Sequence, residues 1–244
     1  MAVTAAPRVA TGDFVGIQIQ GSGTVQLDNV TVDAPGSAAS SVAVLADGAD
    51  APLSLVYNDG VITLGEADDR QIGVATSSMD AVTLRNVSVS ASGPAPLSIG
   101  FLDGQFENCT SPGPVCNGSA AYSMRGFSSV LTGVNRVAYG AYFAGTGGVD
   151  AVGDVSGSIQ VEAEELAIGI RLREVFAPTL SGGGTEDLAG MTVDVRAVRG
   201  ATTLAADDGQ AIGIYDGDRL DPLVGPSTSV TLSGFAIQSR AEAR

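Results

Sequence analysis

Three sets of residues in this 244-residue chain have the types and spacing to do chemistry. The first is carboxylate pairs. Asp68-Asp69 and Asp207-Asp208 are the only Asp-Asp doublets, and two carboxyls roughly 6.5 to 9.5 Å apart can protonate a glycosidic oxygen and activate a water. The second is Asp216, Asp218 and Asp221, whose spacing could gather hard oxygen ligands around calcium. That run lacks the closing Glu of an EF-hand loop, and the alternative is a solvated acidic loop in which Arg219 pairs locally. The third is Cys109 and Cys116, the only 2 cysteines, on either side of Pro112-Gly113-Pro114. A tight turn between two thiols suggests a disulfide pinning a surface loop, and with it an oxidising compartment; free thiols are the alternative.

What is missing narrows the chemistry further. The 12 basic residues are all Arg, and there is no His, Lys or Trp. Nucleophile pairs built on His, His-ligated metals, Schiff bases and P-loop lysines are therefore excluded. A net charge of −15 repels phosphate backbones and anionic lipid, so nucleic acid and membrane insertion are not expected. No apolar run reaches the ~18 residues of a membrane span, and the N-terminal stretch does not read as a signal segment. Carboxylate-only chemistry survives, but with 7 Phe and 5 Tyr there are few rings for sugars to stack on. The expectation is a non-enzymatic protein with no cofactor, a carboxylate glycosidase or lyase being the alternative.

The elements that would position these residues come from an internal repeat. Val15-Gly16-Ile17 lies over Ile72-Gly73-Val74 at an offset of 57, and GTVQLDNVTVDA then lies over DAVTLRNVSVSA. Val42-Ala43-Val44 falls between them, and the opening recurs at Ile99-Gly100-Phe101, Tyr139-Gly140-Ala141, Ile168-Gly169-Ile170 and Ile212-Gly213-Ile214. The steps between centres are 27, 30, 27, 40, 29 and 44 residues. If each long step hides one degenerate turn, at Ala121–Met124 and Met191–Val195, there are roughly eight or nine units, within the range of solenoids.

Each unit reads V-x-L, a two-residue corner, then V-x-V, so apolar residues alternate on both sides of the bend. A bend that short needs a residue tolerant of the left-handed region. Asn29 and Asn86 stand there, with Gly133, Gly157, Gly190 and Gly234 read as their counterparts. This texture, from about Asp13 to Ser239, resembles right-handed parallel β-helices of the pectate-lyase-like superfamily, and within it pertactin-type autotransporter passengers and bacterial surface β-helix repeat proteins. The resemblance implies an all-β solenoid; a β-sandwich is the runner-up.

The whole chain then reads as one β-solenoid domain with loop insertions near 107–119, 171–187 and 215–228. Arg171 and Arg173 read as exposed turn residues with Glu186 or Asp187 as partners. Of the Asn-x-Ser/Thr sequons, Asn29 and Asn86 are explained by the corner, leaving Asn108 and Asn117 in the Cys loop as acceptors for glycosylation. Open strand edges at the terminal coils call for a cover, from flanking coils or from end-to-end self-association. The expected role is an extracellular or cell-surface structural or adhesive module. The alternative is a β-helix that binds or degrades a host or surface glycan.

Overall fold

The computed structural model describes residues 2–4, 12–34, 38–48, 52–104, 122–133, 135–143, 152–172, 185–199, 209–216, 229–233 and 236–243. Strands dominate them, and they form two stacked parallel sheets. One sheet has seven strands: β2 (Phe14–Gln20), β5 (Ala38–Asp47), β8 (Ala67–Ser77), β11 (Ala95–Asp103), β13 (Asn135–Phe143), β15 (Leu166–Leu172) and β17 (Gln210–Asp216). The other has twelve: β1 (Ala2–Thr4), β3 (Gly23–Asp28), β4 (Thr31–Ala34), β6 (Leu53–Asn58), β7 (Val61–Leu64), β9 (Ala81–Arg85), β10 (Ser88–Ala91), β12 (Tyr122–Leu131), β14 (Val152–Ala163), β16 (Thr185–Arg199), β18 (Ser229–Ser233) and β19 (Ala236–Ala243). Every pairing between described strands is parallel. The antiparallel pairing of a β-sandwich is therefore not what these residues do.

The repeated sequence openings become adjacent strands. Val15 pairs with Val42, Val42 with Ile72, Ile72 with Ile99, Ile99 with Tyr139, Tyr139 with Ile168 and Ile168 with Ile212. Gly16, Ala43, Gly73, Gly100, Gly140, Gly169 and Gly213 thus form one column across the seven-stranded sheet. Space dictates the glycine: a Cβ on Gly73, Gly140 or Gly169 would lie 2.5 to 2.6 Å from the carbonyl oxygen of the next glycine in the column. It would also overlap Val89, Ile159 or Val193 on the facing sheet. These belong to a second column, Val32, Ile62, Val89, Ser129, Ile159, Val193 and Ile237, fixed by the register of β4, β7, β10, β12, β14, β16 and β19. Bulky β-branched residues on one sheet fill the room that glycine vacates on the other, and the two sheets close on a continuous core.

The seven-stranded sheet has seven members among the described residues rather than eight or nine. The stretches expected to hide extra turns fall in the other sheet, Tyr122–Met124 in β12 and Met191–Val195 in β16. Single long strands there do the work of two short ones: β12 pairs with β9 through Tyr122–Arg125 and with β10 through Ser128–Leu131. The bend between those halves is a register shift rather than a chain break.

Three of the enclosed polar side chains are tied by hydrogen bonds to neighbouring repeats. The fully buried Asp103 accepts from Thr76 Oγ1 at 2.7 Å and from the Tyr122 hydroxyl. Asn135, also fully buried, accepts from Ser98 Oγ at 2.6 Å and donates to the Glu162 carbonyl. Tyr57 donates to the Val30 carbonyl at 2.8 Å, and burial pushes its hydroxyl pKa up to about 12.

Candidate functional site: an open groove on the seven-stranded sheet

The outer face of the seven-stranded sheet carries a second apolar stripe, separate from the core between the sheets. Two columns make it. One holds Val15, Val42, Ile72, Ile99, Tyr139, Ile168 and Ile212; the other holds Leu45, Ala75, Leu102, Tyr142, Arg171 and Tyr215. Strict alternation breaks at each central glycine: the glycine and the residue after it face the core, while the residues one before and two after it share the outer stripe. From β11 to β15 these positions are nearly all buried. Over β2, β5 and β8, up to the start of the buried part at Leu102, the stripe instead opens into a groove of about 410 Å3.

Val15, Val42, Leu45, Ile72, Ala75 and Leu102 form the groove floor, and Asp13, Ser40 and Arg70 lie on one rim with Gln20, Asp47 and Ser77 on the other. Arg70 Nε is 3.3 Å from Asp69 Oδ2, which also accepts from Ser40 Oγ at 3.5 Å. An aliphatic floor with a thin polar border suits an elongated ligand lying across the strands. Neither member of the Asp68-Asp69 doublet lines the groove. Asp69 is largely exposed and tied to Arg70, while Asp68 borders a different depression with Glu66, Arg136 and Glu164. Asp207 and Asp208 lie outside the described residues.

The stripe also relocates a residue. Arg171, expected on an exposed turn, is 8% exposed at the end of β15. Its guanidinium carbon is 4.7 Å from the Tyr142 ring centre, 5.6 Å from Tyr139 and 5.8 Å from Tyr215, and Nη1 donates to the Tyr139 hydroxyl at 3.2 Å. Aromatic faces attract the cation and replace its water. The signal was in the repeat: Tyr142, Arg171 and Tyr215 each stand two residues after the unit's central glycine. Arg173 lies outside the described residues, and Glu186 and Asp187 belong to the backbone ladder of β16 with β18.

At the corners, Asn29 and Asn86 adopt φ of 52°, and Asp59 joins them at 51°. The Asn86 side-chain amide donates to Asp59 Oδ1 at 2.9 Å, continuing the corner from one repeat to the next. In the following repeat the position is Gly126, with φ of 66°, then Ser156, whose hydroxyl accepts from the Gly126 amide at 3.1 Å. Gly190 takes the same place, one residue before Met191, which pairs with Gly157. Gly157 itself has φ of 138° and stands one residue past the corner. Gly133 belongs to a different turn, where a Cβ would overlap the Gly93 carbonyl, and the sequence pattern misplaced it because Gly126 is hidden inside the long β12. Gly234 lies outside the described residues.

The remaining candidates are mostly beyond view. Cys109, Cys116, Asn108, Asn117, Asp218 and Asp221 lie outside the described residues, and Asp216 ends β17 opposite Leu172. Among the described residues no three acidic or other ligating side chains gather into a metal site, and no helix is long and apolar enough to cross a membrane. Comparison with models of known families, with curated proteins and with solved structures finds no match.

Proposed function

We propose that the chain is a right-handed parallel β-helix of the pectate-lyase-like kind, serving outside the cell as a non-catalytic structural or adhesive rod. In this reading each strand of the seven-stranded sheet begins a coil, and right-handedness follows from the general preference of parallel crossovers. Seven coils at ~4.8 Å would rise about 30 Å. The rod needs no cofactor, its carboxylates keep it soluble, and its ends join flanking coils or another copy.

One observation carries the end-joining. In the column Val32, Ile62, Val89, Ser129, Ile159, Val193 the exposure is 0 to 1%, whereas Ile237, its last member on β19, is 46% exposed. A core column that surfaces at the end of a stack is an unfinished interface. Sedimentation velocity and negative-stain images across a wide concentration range test this. Rods or fibres lengthening with concentration are expected; isolated single-copy particles at every concentration would overturn it.

The groove over β2, β5 and β8 favours a second reading, a glycan or other extended ligand held against the outer face. Incubation with a panel of acidic and neutral polysaccharides separates the two, since the rod alone predicts neither retardation nor depolymerisation. Should depolymerisation occur, Asp68→Asn with Asp69→Asn asks whether that doublet is responsible.

A further inference from the structure

We propose that the edge of β4 now paired with β1 is the seat for β19 of a second copy of this chain, and that β1 competes for that seat. This rests on the end-to-end reading given above and names its contact. In β1, Ala2, Val3 and Thr4 pair with Thr31, Val32 and Asp33 of β4. Following the ladder from β4 through β7, β10, β12, β14 and β16, the same three register positions are held in β19 by Ala236, Ile237 and Gln238. The short Ala-Val-Thr strand therefore imitates the Ala-Ile-Gln of the last strand, at the opposite end of the stack.

The imitation is incomplete, and that decides the competition. β1 pairs with three of the four residues of β4, whereas β19, which pairs with β16 over eight, would pair with all four, Ser239 taking the place opposite Ala34. Each further ladder pair adds backbone hydrogen bonds, so a longer strand in register displaces a shorter one when its local concentration is high enough. Ile237 would lose its exposure by stacking on Val32, the same contact it makes with Val193 in its own copy. The remaining edges are compatible: among the described residues β2 and β3 are each paired on one side only, by β5 and β6. The Val-Gly-Ile of β2 matches the Ile-Gly-Ile of β17, so both sheets would continue.

Charge points the same way. Residues 12–34 contain Asp13, Asp28 and Asp33 and no Arg. Asp33 on β4 and Arg240 on β19 have no ion-pair partner among the described residues. Seating Ile237 opposite Val32 puts Gln238 opposite Asp33, with Arg240 two residues further along the same face, the offset it already has from Asp194 in its own copy. A contact that repeats head to tail without closing builds a filament.

The test uses a fluorescein-labelled peptide of residues 236–243, titrated by anisotropy against the full chain and against its Val3→Asp variant. At least tenfold tighter binding to Val3→Asp is expected, with loss of binding for the Ile237→Asp peptide and several-fold weakening by Asp33→Arg. Equal binding to both chains, or undiminished binding of the Ile237→Asp peptide, would overturn the seat. If Val3→Asp does not fold by circular dichroism, a chain lacking residues 1–4 takes its place. Sedimentation of the same variants separates the two ideas: peptide binding to a chain that stays monomeric upholds the seat and refutes end-to-end assembly. Assembly without peptide binding refutes the seat.

Discussion

Two columns of this molecule are rich in glycine for unrelated reasons. On the seven-stranded sheet, Gly16, Gly73, Gly100, Gly140, Gly169 and Gly213 are glycine because a side chain has nowhere to go. At the corner, Gly126 shares its column with Asn29, Asp59, Asn86 and Ser156, and three of these non-glycine residues hold φ near 50°. The first column admits one exception, Ala43, the smallest possible step; the second admits Asn, Asp and Gly where φ is positive, a backbone conformation those residues tolerate, and Ser156, where φ is no longer positive. One letter in a repeat can therefore mean a steric limit or a torsional one, and the substitutions found beside it tell them apart.

The largest effect should come from violating the steric column. Gly140→Val would drive a branched side chain into Ile159, with its Cβ 2.6 Å from the Gly169 carbonyl oxygen. Both neighbours are fixed by ladders on either side, so relief requires the sheets to part. A loss of at least about 3 kcal/mol is expected in urea denaturation, enough to abolish cooperative unfolding in a marginal fold.

A compensated pair sharpens the distinction. Gly60 occupies the position held in other repeats by Val30, Val87 and Phe127, because Tyr57 fills that space from the position of Leu27, Leu84 and Met124. A Cβ on Gly60 would lie 2.6 Å from the Tyr57 hydroxyl oxygen and overlap the ring itself. Gly60→Val alone should cost about 2 to 3 kcal/mol, and Gly60→Val with Tyr57→Leu should recover most of it, a coupling of about 2 kcal/mol in a double-mutant cycle. Tyr57 also sets an alkaline limit. Its pKa is raised from 10.0 to about 12, so above pH 10 the unfolded chain releases a proton that the folded chain retains. Stability is complete below pH 10 and falls as the pH rises through 12. Melting temperatures between pH 9 and 12 should show this fall, and Tyr57→Leu should flatten it.

Torsional violations should be milder. Asn86→Ala places a Cβ-bearing residue without a polar side chain at φ of 52° and removes the hydrogen bond to Asp59. About 1 to 2 kcal/mol is expected, whereas Asn86→Gly, which meets the torsion and loses only the bond, should cost half as much or less. Equal penalties for the two variants in chemical denaturation would mean that the hydrogen bond, and not the torsion, selects Asn here.

These contrasts explain what could be read from the sequence. The seven openings and the Asn corners were legible because each repeat imposes the same demand at the same offset, and alternation with period two reports which face is buried. Gly126 was not, since β12 runs through its corner without a break; nor was the count of repeats, because the long steps lengthen strands of the other sheet. The outer stripe was legible only in hindsight. Its Val, Leu and Ile look like core residues in the linear pattern, and only the break in alternation at each glycine shows that they face away from the core. Arg171 followed from the same difficulty: a charged residue is expected at the surface unless three tyrosines from neighbouring repeats are known to surround it.

The smallest predicted effect tests the steric column from its other side. Ser129 stands in the apolar column between Val89 and Ile159, faces Gly100, and is fully buried with a hydroxyl that finds no partner. An unpaired buried hydroxyl costs free energy, and its removal leaves only a small void against glycine. Ser129→Ala should therefore be neutral or stabilising by up to about 1 kcal/mol in urea denaturation. Ser129→Ile, which restores the residue type found at Ile62, Ile159 and Ile237, asks a harder question. At Gly140 the facing Ile159 is accommodated beside Ala141, but at Gly100 the neighbouring residue is Phe101, whose ring is 6.3 Å from that of Phe127. If Phe101 has taken the volume that Ile would need, Ser129→Ile destabilises while Ser129→Ala does not. Serine at this position then reflects a local shortage of space created by the aromatic cluster rather than any need for its hydroxyl.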